Sequence, residues 1–401
     1  MVQGRMTDGL QALLGASEEE KKARGIQYTP REIVHQPETW QKTYAICGER
    51  RQELSQFLRE SGIGPGEQGR PTVFLVGAGT SDYIGGALTL LLRRMWGCEV
   101  WAVPSTSLLT NLEDLVFADQ PYLWVSFSRS GDSPEGLGVI DAALQKYPKV
   151  RHLLVTCNQQ GRMASICEQA PDRAFVLALD DTANDRGLAM TSSYTNMVIA
   201  GHCIAHVSSP DDYLDTFSIL QKAGERFLGG AEEVATTIAR ENFSKACFVG
   251  SGALQAVARE SALKLLELTA GKIQTMSEST LGLRHGPMSA LDGDTLFVSF
   301  LSRDLRRRNY ELDLLREVNR KQLGKQIVVV TPYETDGLSH LADHVLSLDV
   351  PALSDEYRPP VDVILAQLLG LFCSLRLGLQ PDCPSPNGVI SRVVSNVKIY
   401  A

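Results

Sequence analysis

Short runs of consecutive apolar residues alternate along the chain with longer stretches in which apolar residues recur every three or four positions. Two of these runs are PTVFLV and KACFV, and each ends in a Gly-rich turn that leads into an apolar helical pattern. Continuous apolar runs of strand length, separated by helices, are typical of parallel sheets buried on both faces. The pattern therefore predicts an α/β protein.

The pattern repeats at a fixed distance along the chain. Gly77 and Gly250 close the two matching runs and lie 173 residues apart. Ser126 and Ser299, in the similar segments WVSFSRSGD and FVSFLSRD, are separated by the same 173 residues. Two landmarks at one offset indicate an internal duplication. Each half is predicted to contain strand, helix, strand, helix and strand, which gives two doubly wound parallel-sheet domains.

Element bounds follow from the same pattern. Strands are predicted at 73–76, 122–125, 153–156, 295–300 and 327–331. The predicted domains are a helical lead-in of residues 1–60, α/β domains of residues 61–220 and 225–390, and a tail of residues 391–401. An apolar stretch at 363–379, interrupted by Gln367, Ser374 and Arg376, is too short and polar for a membrane span and predicts a buried helix.

Composition and charge exclude several classes of function. The chain is 43% hydrophobic and 21% charged, as in soluble globular proteins, and its net charge of -8 argues against a nucleic-acid partner. The run Arg306-Arg307-Arg308 is more typical of a solvated helix face than of a binding patch. The N-terminus lacks the pattern of a secretory signal, and the eight cysteines show no CxxC spacing. We therefore expect a cytoplasmic protein without a membrane partner.

The first candidate for ligand binding is the turn after residues 73–76, which contains Gly77, Gly79, Thr80 and Ser81. Glycines let the backbone approach an anion closely, and the start of the following helix offers unpaired N–H groups. The turn lacks the Lys of GxxxxGK[ST] and the third Gly of a dinucleotide fingerprint, so neither ATP nor NAD is favoured.

A second loop, SFSRSGDS, follows the strand predicted at 122–125. The hydroxyls of Ser128, Ser130 and Ser133, together with N–H groups at a helix start, can hold a phosphate without a metal. An ordinary Ser-rich turn with a helix cap is the alternative for this segment alone. A Gly-rich loop on a neighbouring strand favours the phosphate interpretation.

A third segment, RGLAMTSSY at 186–194, gathers hydroxyls before a helix predicted at 197–207. Thr191 and Ser192 are candidate ligand-binding residues there. The sequence leaves open whether they contact a ligand or only cap the helix.

Three charged residues interrupt the mostly apolar helix predicted at 253–270. Glu260, Lys264 and Glu267 are spaced i, i+4, i+7 and therefore share one helical face. A surface stripe of salt bridges is the ordinary explanation for such spacing. The position of the helix, directly after the repeated Gly-rich loop, favours an acid–base site instead.

The turn LRHGP places Arg284 and His285 in a loop that leads to the strand predicted at 295–300. A histidine in a loop can move a proton near neutral pH, although a packed or merely exposed histidine is an equally good explanation of this turn alone. The pairs His202/His206 and His340/His344 have i, i+4 spacing without an HExxH motif or an evident third ligand. We expect packed or surface histidines there and predict neither metal nor cofactor.

Taken together, several segments resemble those of SIS-domain sugar isomerases, with the closest similarity to the galactosamine-6-phosphate deaminase/isomerase group, also described as tagatose-6-phosphate ketose/aldose isomerases. The segments are GAGTS, SFSRSGDSPE, RGLAMTSS, ARESALKLLELTAG and LRHGP. The resemblance runs from VHQP at 34–37 to RVV at 392–394. The isomerase half of glucosamine-6-phosphate synthase is a more distant relative. The resemblance implies two tandem SIS domains, a sugar-phosphate substrate and no cofactor.

The resemblance also implies roles for individual residues. Glu267 stands where the synthase places the base that transfers a proton between C1 and C2 of the sugar, and Lys264 and Glu260 resemble its polar neighbours. His285 matches a ring-opening histidine that comes from the other subunit, which implies a homodimer with a shared active site. The residues expected to hold the substrate and its phosphate are Gly79, Thr80, Ser81, Ser128, Arg129, Ser130, Ser133, Thr191, Ser192, Glu260 and Arg284. A tail lysine closes the synthase site, and the role of Lys398 in SNVKIYA is left open.

The expected reaction is that of an amino-sugar 6-phosphate deaminase/isomerase. The first cysteine is Cys47, so we expect no glutamine-hydrolysing nucleophile of the synthase kind, and the remaining chemistry is isomerisation or ammonia release. The alternative is aldose–ketose isomerisation of a hexose 6-phosphate, which uses the same proton transfer. A sugar-phosphate sensor without catalysis is a third possibility, disfavoured because residues 1–60 lack a basic DNA-binding pattern. The preferred configuration at C4 of the sugar stays open.

Overall fold

The computed structural model describes residues 9–64, 69–333, 337–385, 387–394 and 397–400. Residues 1–8 of the predicted lead-in, and residues 395, 396 and 401 of the predicted tail, lie outside the described residues. Within the described ranges the chain forms two five-stranded sheets and a set of flanking helices.

Each sheet consists of parallel strands in the same spatial order. The first contains β1 (Thr72–Gly77), β2 (Val100–Pro104), β3 (Tyr122–Ser128), β4 (Val150–Thr156) and β5 (Ala174–Ala178). The second contains β6 (Lys245–Gly250), β7 (Gln274–Ser279), β8 (Thr295–Phe300), β9 (Gln326–Thr331) and β10 (His344–Ser347). The orders are β2-β1-β3-β4-β5 and β7-β6-β8-β9-β10, so the predicted fold of two doubly wound parallel sheets is confirmed.

Helices connect the strands and form the predicted lead-in. In chain order the α-helices are Leu10–Gly15, Glu18–Arg24, Thr29–Val34, Gln36–Glu49, Arg51–Glu60, Thr80–Trp96, Ser105–Thr110, Leu112–Leu115, Pro134–Lys146, Arg162–Glu168, Ser192–Ala205, Asp211–Ala239, Ala253–Leu268, Leu305–Lys321, Pro359–Asp362 and Ile364–Arg376. Short 3-10 turns lie at Asp181–Ala183, Gly282–Arg284, Pro287–Ala290, Leu338–His340 and Asp355–Tyr357.

The chain forms two compact units, each built around one sheet. The first-sheet unit contains the described residues of Glu38–Asn184, Ser192–Phe217 and Arg392–Ala401. The second-sheet unit contains the described residues of Met1–Pro37, Asp185–Thr191 and Ser218–Ser391. Both units therefore include segments that are distant in sequence.

The internal duplication is visible in corresponding elements. β1 and β6 begin at Thr72 and Lys245, and β3 and β8 begin at Tyr122 and Thr295, which is the same 173-residue offset. The glycine before the helix that follows β1, and the glycine before the helix that follows β6, both have a positive φ, 56° at Gly79 and 61° at Gly252. Only glycine adopts this conformation without strain, which explains the repeated Gly-rich loops.

The sequence pattern predicted three strands in each half, whereas the described residues of each half form five. The additional strands β2, β5, β7 and β10 are only partly buried, so they lack the continuous apolar runs of the central strands. β3 is longer than predicted and includes Ser126 and Ser128, because these residues pair with β4 and are buried. The helix predicted at 197–207 begins at Ser192.

Two further expectations concern charged and apolar segments. Arg308 is buried, and its guanidinium donates two hydrogen bonds to the carbonyl of Ser302. The expectation that the run of three arginines is a solvated helix face is therefore wrong for Arg308.

Among the described residues, one helical stretch, Pro359–Arg376, is long and apolar enough to cross a membrane, and 89% of it is buried within the protein. The prediction of a buried helix in this region is confirmed.

Candidate functional site

The Gly-rich loop of the first-sheet unit joins β1 to the helix Thr80–Trp96. A Cβ at Gly77 would lie 2.3 Å from the carbonyl carbon of Ser81, so only glycine permits this close approach. Thr80 and Ser81 occupy the first turn of the helix and are buried. The loop thus brings backbone N–H groups and two hydroxyl residues to the carboxyl end of the sheet, where doubly wound folds bind ligands.

The Ser-rich loop begins where β3 ends. The Oγ atoms of Ser128 and Ser130 accept hydrogen bonds from the backbone N–H groups of Gly131 (3.0 Å) and Asp132 (3.2 Å). Ser133 caps the helix Pro134–Lys146, its Oγ accepting from the N–H of Gly136 at 3.3 Å. The three serines therefore shape a tight turn at a helix N-terminus, which is a favourable place for a phosphate.

A neighbouring loop after β4 supports the Ser-rich loop. Asn158 donates its Nδ2–H to the carbonyl of Ser130 at 2.8 Å, and the N–H of Met163 donates to the carbonyl of Gly131 at 2.9 Å. A Cβ at Gly161 would lie only 2.7 Å from the carbonyl oxygen of Ser130. These contacts hold the loop backbone in place, and the sequence pattern did not reveal them.

Arg129 extends from the Ser-rich loop toward the C-terminal tail of the same unit. Its side chain is buried, and its Nη2–H donates to the carbonyl of Arg392. Arg392 in turn donates from Nη2 to Oδ1 of Asn184 at 2.7 Å. Farther along the tail, the Nζ of Lys398 lies 4.9 Å from the centre of the Tyr400 ring. The tail is therefore tied to the Ser-rich loop through Arg129.

In the second-sheet unit, the helix Ala253–Leu268 carries the predicted acid–base group on one face. The Nζ of Lys264 lies 3.3 Å from Oε1 of Glu260 and 2.7 Å from Oε2 of Glu267. Lys264 and Glu260 are completely buried, whereas the Glu267 side chain keeps 24% of its surface exposed. The alternative of a surface salt-bridge stripe is therefore wrong for this helix.

The charges of this group stabilise one another. Burial by itself lowers the pKa of Lys264, but the carboxylates of Glu260 and Glu267 outweigh burial and hold that pKa above its usual value. Lys264 is thus a buried cation at neutral pH. It orients the Glu267 carboxylate, which is the member of the group that solvent can reach. An oriented, partly exposed carboxylate is suited to proton transfer.

His285 lies between two 3-10 turns and is exposed. The adjacent Arg284 donates from Nε to Oε2 of Glu317 at 2.7 Å. Hydrogen bonds from Lys321 and Arg284 lower the pKa of Glu317 to about 2. The guanidinium of Arg284 therefore already has a carboxylate partner.

The third predicted segment is anchored inside the protein. Thr191 is completely buried and donates to Asp185 from its backbone N–H (2.8 Å) and from Oγ1 (3.0 Å). Ser192 is also completely buried, and its Oγ lies 3.2 Å from Nδ2 of Asn196, which donates to it. These bonds fit the helix-start interpretation, and a contact of either hydroxyl with substrate stays a prediction.

Glu32 also holds this segment, and the sequence did not indicate it. Its carboxylate accepts hydrogen bonds from the backbone N–H groups of Arg186 and Gly187. Burial, and then repulsion by Asp185, raise the pKa of Glu32 to about 8, although the two N–H bonds act in the opposite direction.

The histidine pairs do not form helical metal motifs. The ring of His202 lies 3.1 Å from the hydroxyl of Tyr213, and the ring of His206 stacks on the same tyrosine. His340 ends a 3-10 turn and His344 begins β10, so this pair does not lie on one helix. The part of the chain that the structure describes contains no group of three or more His, Cys, Asp or Glu residues arranged to hold a metal ion.

Comparison with known proteins identifies relatives over nearly the whole chain. The SIS domain family matches residues 239–371. The AgaS protein of Streptomyces coelicolor is 37% identical over 93% of this chain and 95% of its own. The D-galactosamine-6-phosphate deaminase AgaS of Escherichia coli is 34% identical over 93% of this chain and 95% of its own. The structure of tagatose-6-phosphate ketose/aldose isomerase from Escherichia coli superposes with a TM-score of 0.84 at 32% identity, covering 93% of this chain and 96% of that one.

Proposed function

Because the chain belongs to the SIS-domain family of AgaS deaminases, we propose that it converts galactosamine 6-phosphate and water to tagatose 6-phosphate and ammonia. The observation that carries the proposal is the buried Lys264 bonded to the partly exposed carboxylate of Glu267. Such a pair supplies an oriented base, which the transfer of a proton between two sugar carbons requires.

The substrate phosphate is assigned to the loops of the first-sheet unit. Ser128, Ser130 and Ser133 shape the loop at a helix start, and backbone N–H groups there favour a negative charge. Arg129 adds a positive charge to the same loop. Gly79, Thr80 and Ser81 contribute a second helix start in the same unit.

The reaction proceeds on the open-chain sugar. His285 assists opening of the ring, and Glu267 then removes the proton from C2 while the aldehyde oxygen on C1 takes up a proton from water, which gives an enolamine. Return of the first proton from Glu267 to C1, with loss of a proton from the nitrogen to water, produces an imine at C2. Water adds to the imine carbon, the C–N bond breaks, and ammonia leaves as the C2 ketone forms.

Lys264 and Glu260 act by position. Both side chains are completely buried, so their role is to fix the charge and orientation of Glu267 rather than to contact the sugar. Arg284 is paired with Glu317, and a substrate role for it would require that pair to open.

The second candidate is aldose–ketose isomerisation of a hexose 6-phosphate. The observation that favours it is the similarity to a tagatose-6-phosphate ketose/aldose isomerase structure. Both reactions begin with the same transfer of a proton between C2 and C1, so the proposed base serves either one. The two differ only in the group on C2, which is an amine in one substrate and a hydroxyl in the other.

Further parts of the proposal concern assembly and location. The protein is proposed to be a cytoplasmic homodimer in which each chain supplies its exposed His285 to the active site of its partner. The domain bounds 61–220 and 225–390 belong to the same proposal. Neither a cofactor, a nucleic acid nor a membrane takes part in it.

Ammonia release tests the proposed reaction. Purified protein is given galactosamine 6-phosphate or glucosamine 6-phosphate, and ammonia is measured by coupling to glutamate dehydrogenase. Release from galactosamine 6-phosphate supports the deaminase and reveals the preference at C4. If neither sugar yields ammonia while tagatose 6-phosphate is isomerised, the second candidate replaces the first.

A further inference from the structure

The second-sheet unit has its own counterpart of the Ser-rich loop. At the 173-residue offset, Ser128, the last residue of β3, corresponds to Leu301, the first residue after β8, and residues 129–131 correspond to residues 302–304. This loop carries Ser302 and ends at Asp304, which caps the helix Leu305–Lys321 by accepting from the N–H of Arg307. The loop thus has the geometry that binds an anion in doubly wound folds, a strand end followed by a helix start.

A carboxylate of the protein itself occupies the donors of this loop. Oδ1 of Asp355 accepts from the backbone N–H of Arg303 at 2.8 Å, and its Oδ2 accepts from the hydroxyl of Ser302. Oδ2 also lies 3.2 Å from Nη1 of Arg307, and Oδ1 lies 3.3 Å from Nη1 of Arg358. A backbone amide, a hydroxyl and two guanidinium groups therefore converge on one carboxylate, which is the donor set that a phosphate would use.

Surrounding residues hold these donors in place. Arg358 is completely buried and donates from Nη1 to the carbonyl of Leu301 at 2.7 Å. Its Nη2 donates to Oδ1 of Asp362 at 2.8 Å, so its charge stays compensated when Asp355 is absent. Glu311 accepts from the N–H of Ser302 at 2.7 Å. Arg358 and the backbone of Ser302 are thus held by partners other than Asp355.

One side of the cradle can be reached from solvent. The Arg307 side chain is 37% exposed, whereas the Asp355 side chain is only 2% exposed. The main chain of Asp355 belongs to the short turn Asp355–Tyr357, well separated in sequence from the loop that it fills.

We propose that this unit retains an anion-binding cradle, formed by Ser302, Arg303, Arg307 and Arg358, which the Asp355 carboxylate fills permanently. The intact chain therefore binds one phosphate group fewer than its two matching loops would allow. Removing the carboxylate opens a site for a free inorganic phosphate. The inference rests on the proposed function only in taking the Ser-rich loop as the other phosphate site.

Equilibrium dialysis with inorganic phosphate tests this cradle. The full chain and its Asp355→Ala variant are compared, and the variant is expected to bind one more phosphate per chain than the unaltered protein. The proposal is tested by the difference between the two proteins in phosphate bound per chain. If the Ser-rich loop does not bind phosphate, the number bound falls in both proteins and this difference stays the same. Asp343→Ala is the control, because Asp343 accepts from the backbone N–H of Ile327 in the same unit.

Thermal unfolding provides the second readout, because a ligand that binds the native state stabilises it. The melting temperature of Asp355→Ala should fall in chloride and recover in phosphate at equal ionic strength, while that of Asp343→Ala should respond as the unaltered protein does. Asp355→Asn, which keeps the shape of the side chain, should show a smaller recovery. The proposal would be overturned if Asp355→Ala and the unaltered protein bound equal amounts of phosphate. It would also be overturned if phosphate did not restore the melting temperature of Asp355→Ala.

Discussion

The Nζ atom of Lys264 lies 2.7 Å from Oε2 of Glu267, so a completely buried cation is bonded to a carboxylate that stays partly exposed. The two residues are three positions apart on one helix, and the same ammonium group also contacts the buried Glu260 at 3.3 Å. The position of the Glu267 carboxylate is therefore set from inside the protein. Its outer side remains available to a substrate.

Replacing Lys264 with Met should destabilise the protein strongly. The change leaves the buried Glu260 without its cation, and breaking a buried ion pair in this way typically costs about 3–5 kcal/mol. Urea unfolding of the variant measures the free energy of unfolding. The double variant Glu260→Gln/Lys264→Met, which removes both buried charges, should recover much of that loss.

If Lys264 positions Glu267, the double variant should regain stability without regaining activity. Ammonia release should stay low although the fold is restored, because Glu267 has lost the partner that orients it. A double variant as active as the unaltered protein would show that Lys264 contributes only to stability.

Ser133→Ala should weaken both the helix cap and the binding of substrate. Loss of the bond from Ser133 to the N–H of Gly136 should cost about 0.5–2 kcal/mol of stability. KM for galactosamine 6-phosphate should rise as well, since the same hydroxyl lies in the proposed phosphate loop. Thermal unfolding and initial-rate kinetics measure the two effects.

The matched control for this change is Ser17→Ala. Ser17 caps the helix Glu18–Arg24 with an equivalent bond to the N–H of Glu20. The Ser17→Ala variant should lose about as much stability as Ser133→Ala, while its KM for galactosamine 6-phosphate stays unchanged. A rise in KM of similar size in both variants would attribute the effect to helix capping rather than to phosphate binding.

Gly161→Ala should impair substrate binding although every serine of the Ser-rich loop is kept. The new Cβ would lie 2.7 Å from the carbonyl oxygen of Ser130, so the Ser-rich loop must shift. KM should rise while the helices stay intact by circular dichroism. Gly48→Ala is the control, since no atom beyond its chain neighbours and its own helix backbone lies within 4 Å of the new Cβ, and alanine is favoured by roughly 0.5–1 kcal/mol within a helix. Equal KM values in the two variants would argue against a phosphate role for the loop.

The central strands and the charged helix could be predicted from the sequence because their patterns are local. β3 and β8 are buried throughout and appear as continuous apolar runs, and Glu260, Lys264 and Glu267 share a face through their spacing alone. The strands at the sheet edges were not predicted because they are only partly buried and so lack continuous apolar runs. β10, for example, has four residues, of which only Leu346 is buried.

Contacts between distant residues could not be predicted from one sequence. Ser302 and Asp355 are 53 positions apart, and Glu32 and Arg186 are 154 apart, yet each pair is joined by a hydrogen bond. No periodicity connects such residues, since their meeting depends on the completed sheets. For the same reason the spacing of Glu260 and Lys264 left open whether they lie on the surface or in the interior.

The raised pKa of Glu32 predicts that stability depends on pH. Its pKa is about 8 in the folded protein, above the ordinary value of 4.5, so the folded state holds the proton more tightly than the unfolded state. The stabilisation is complete below about pH 4.5 and is lost as the pH rises through about 8. The free energy of unfolding should therefore decline across this range by an amount on the order of a few kcal/mol.

Glu32→Gln should remove the contribution of this residue to the decline, because an amide does not titrate and can still accept from the N–H groups of Arg186 and Gly187. Urea unfolding at pH 6 and pH 9 measures the difference. A decline of the same size in the variant and the unaltered protein would assign the pH dependence to other groups, such as Glu311, whose pKa burial raises to about 7.

The role of Glu267 is tested most directly by the rate of ammonia release from galactosamine 6-phosphate by the Glu267→Gln variant. Removal of a general base should lower kcat by roughly 10²–10⁴-fold while KM changes little. The melting temperature should fall, because the buried Lys264 loses one of its two carboxylate partners, but the variant should stay folded by circular dichroism. Glu233→Gln, an exposed change on another helix, is the control and should keep full activity. A kcat for Glu267→Gln within a few-fold of the unaltered protein would contradict the assignment of Glu267 as the base.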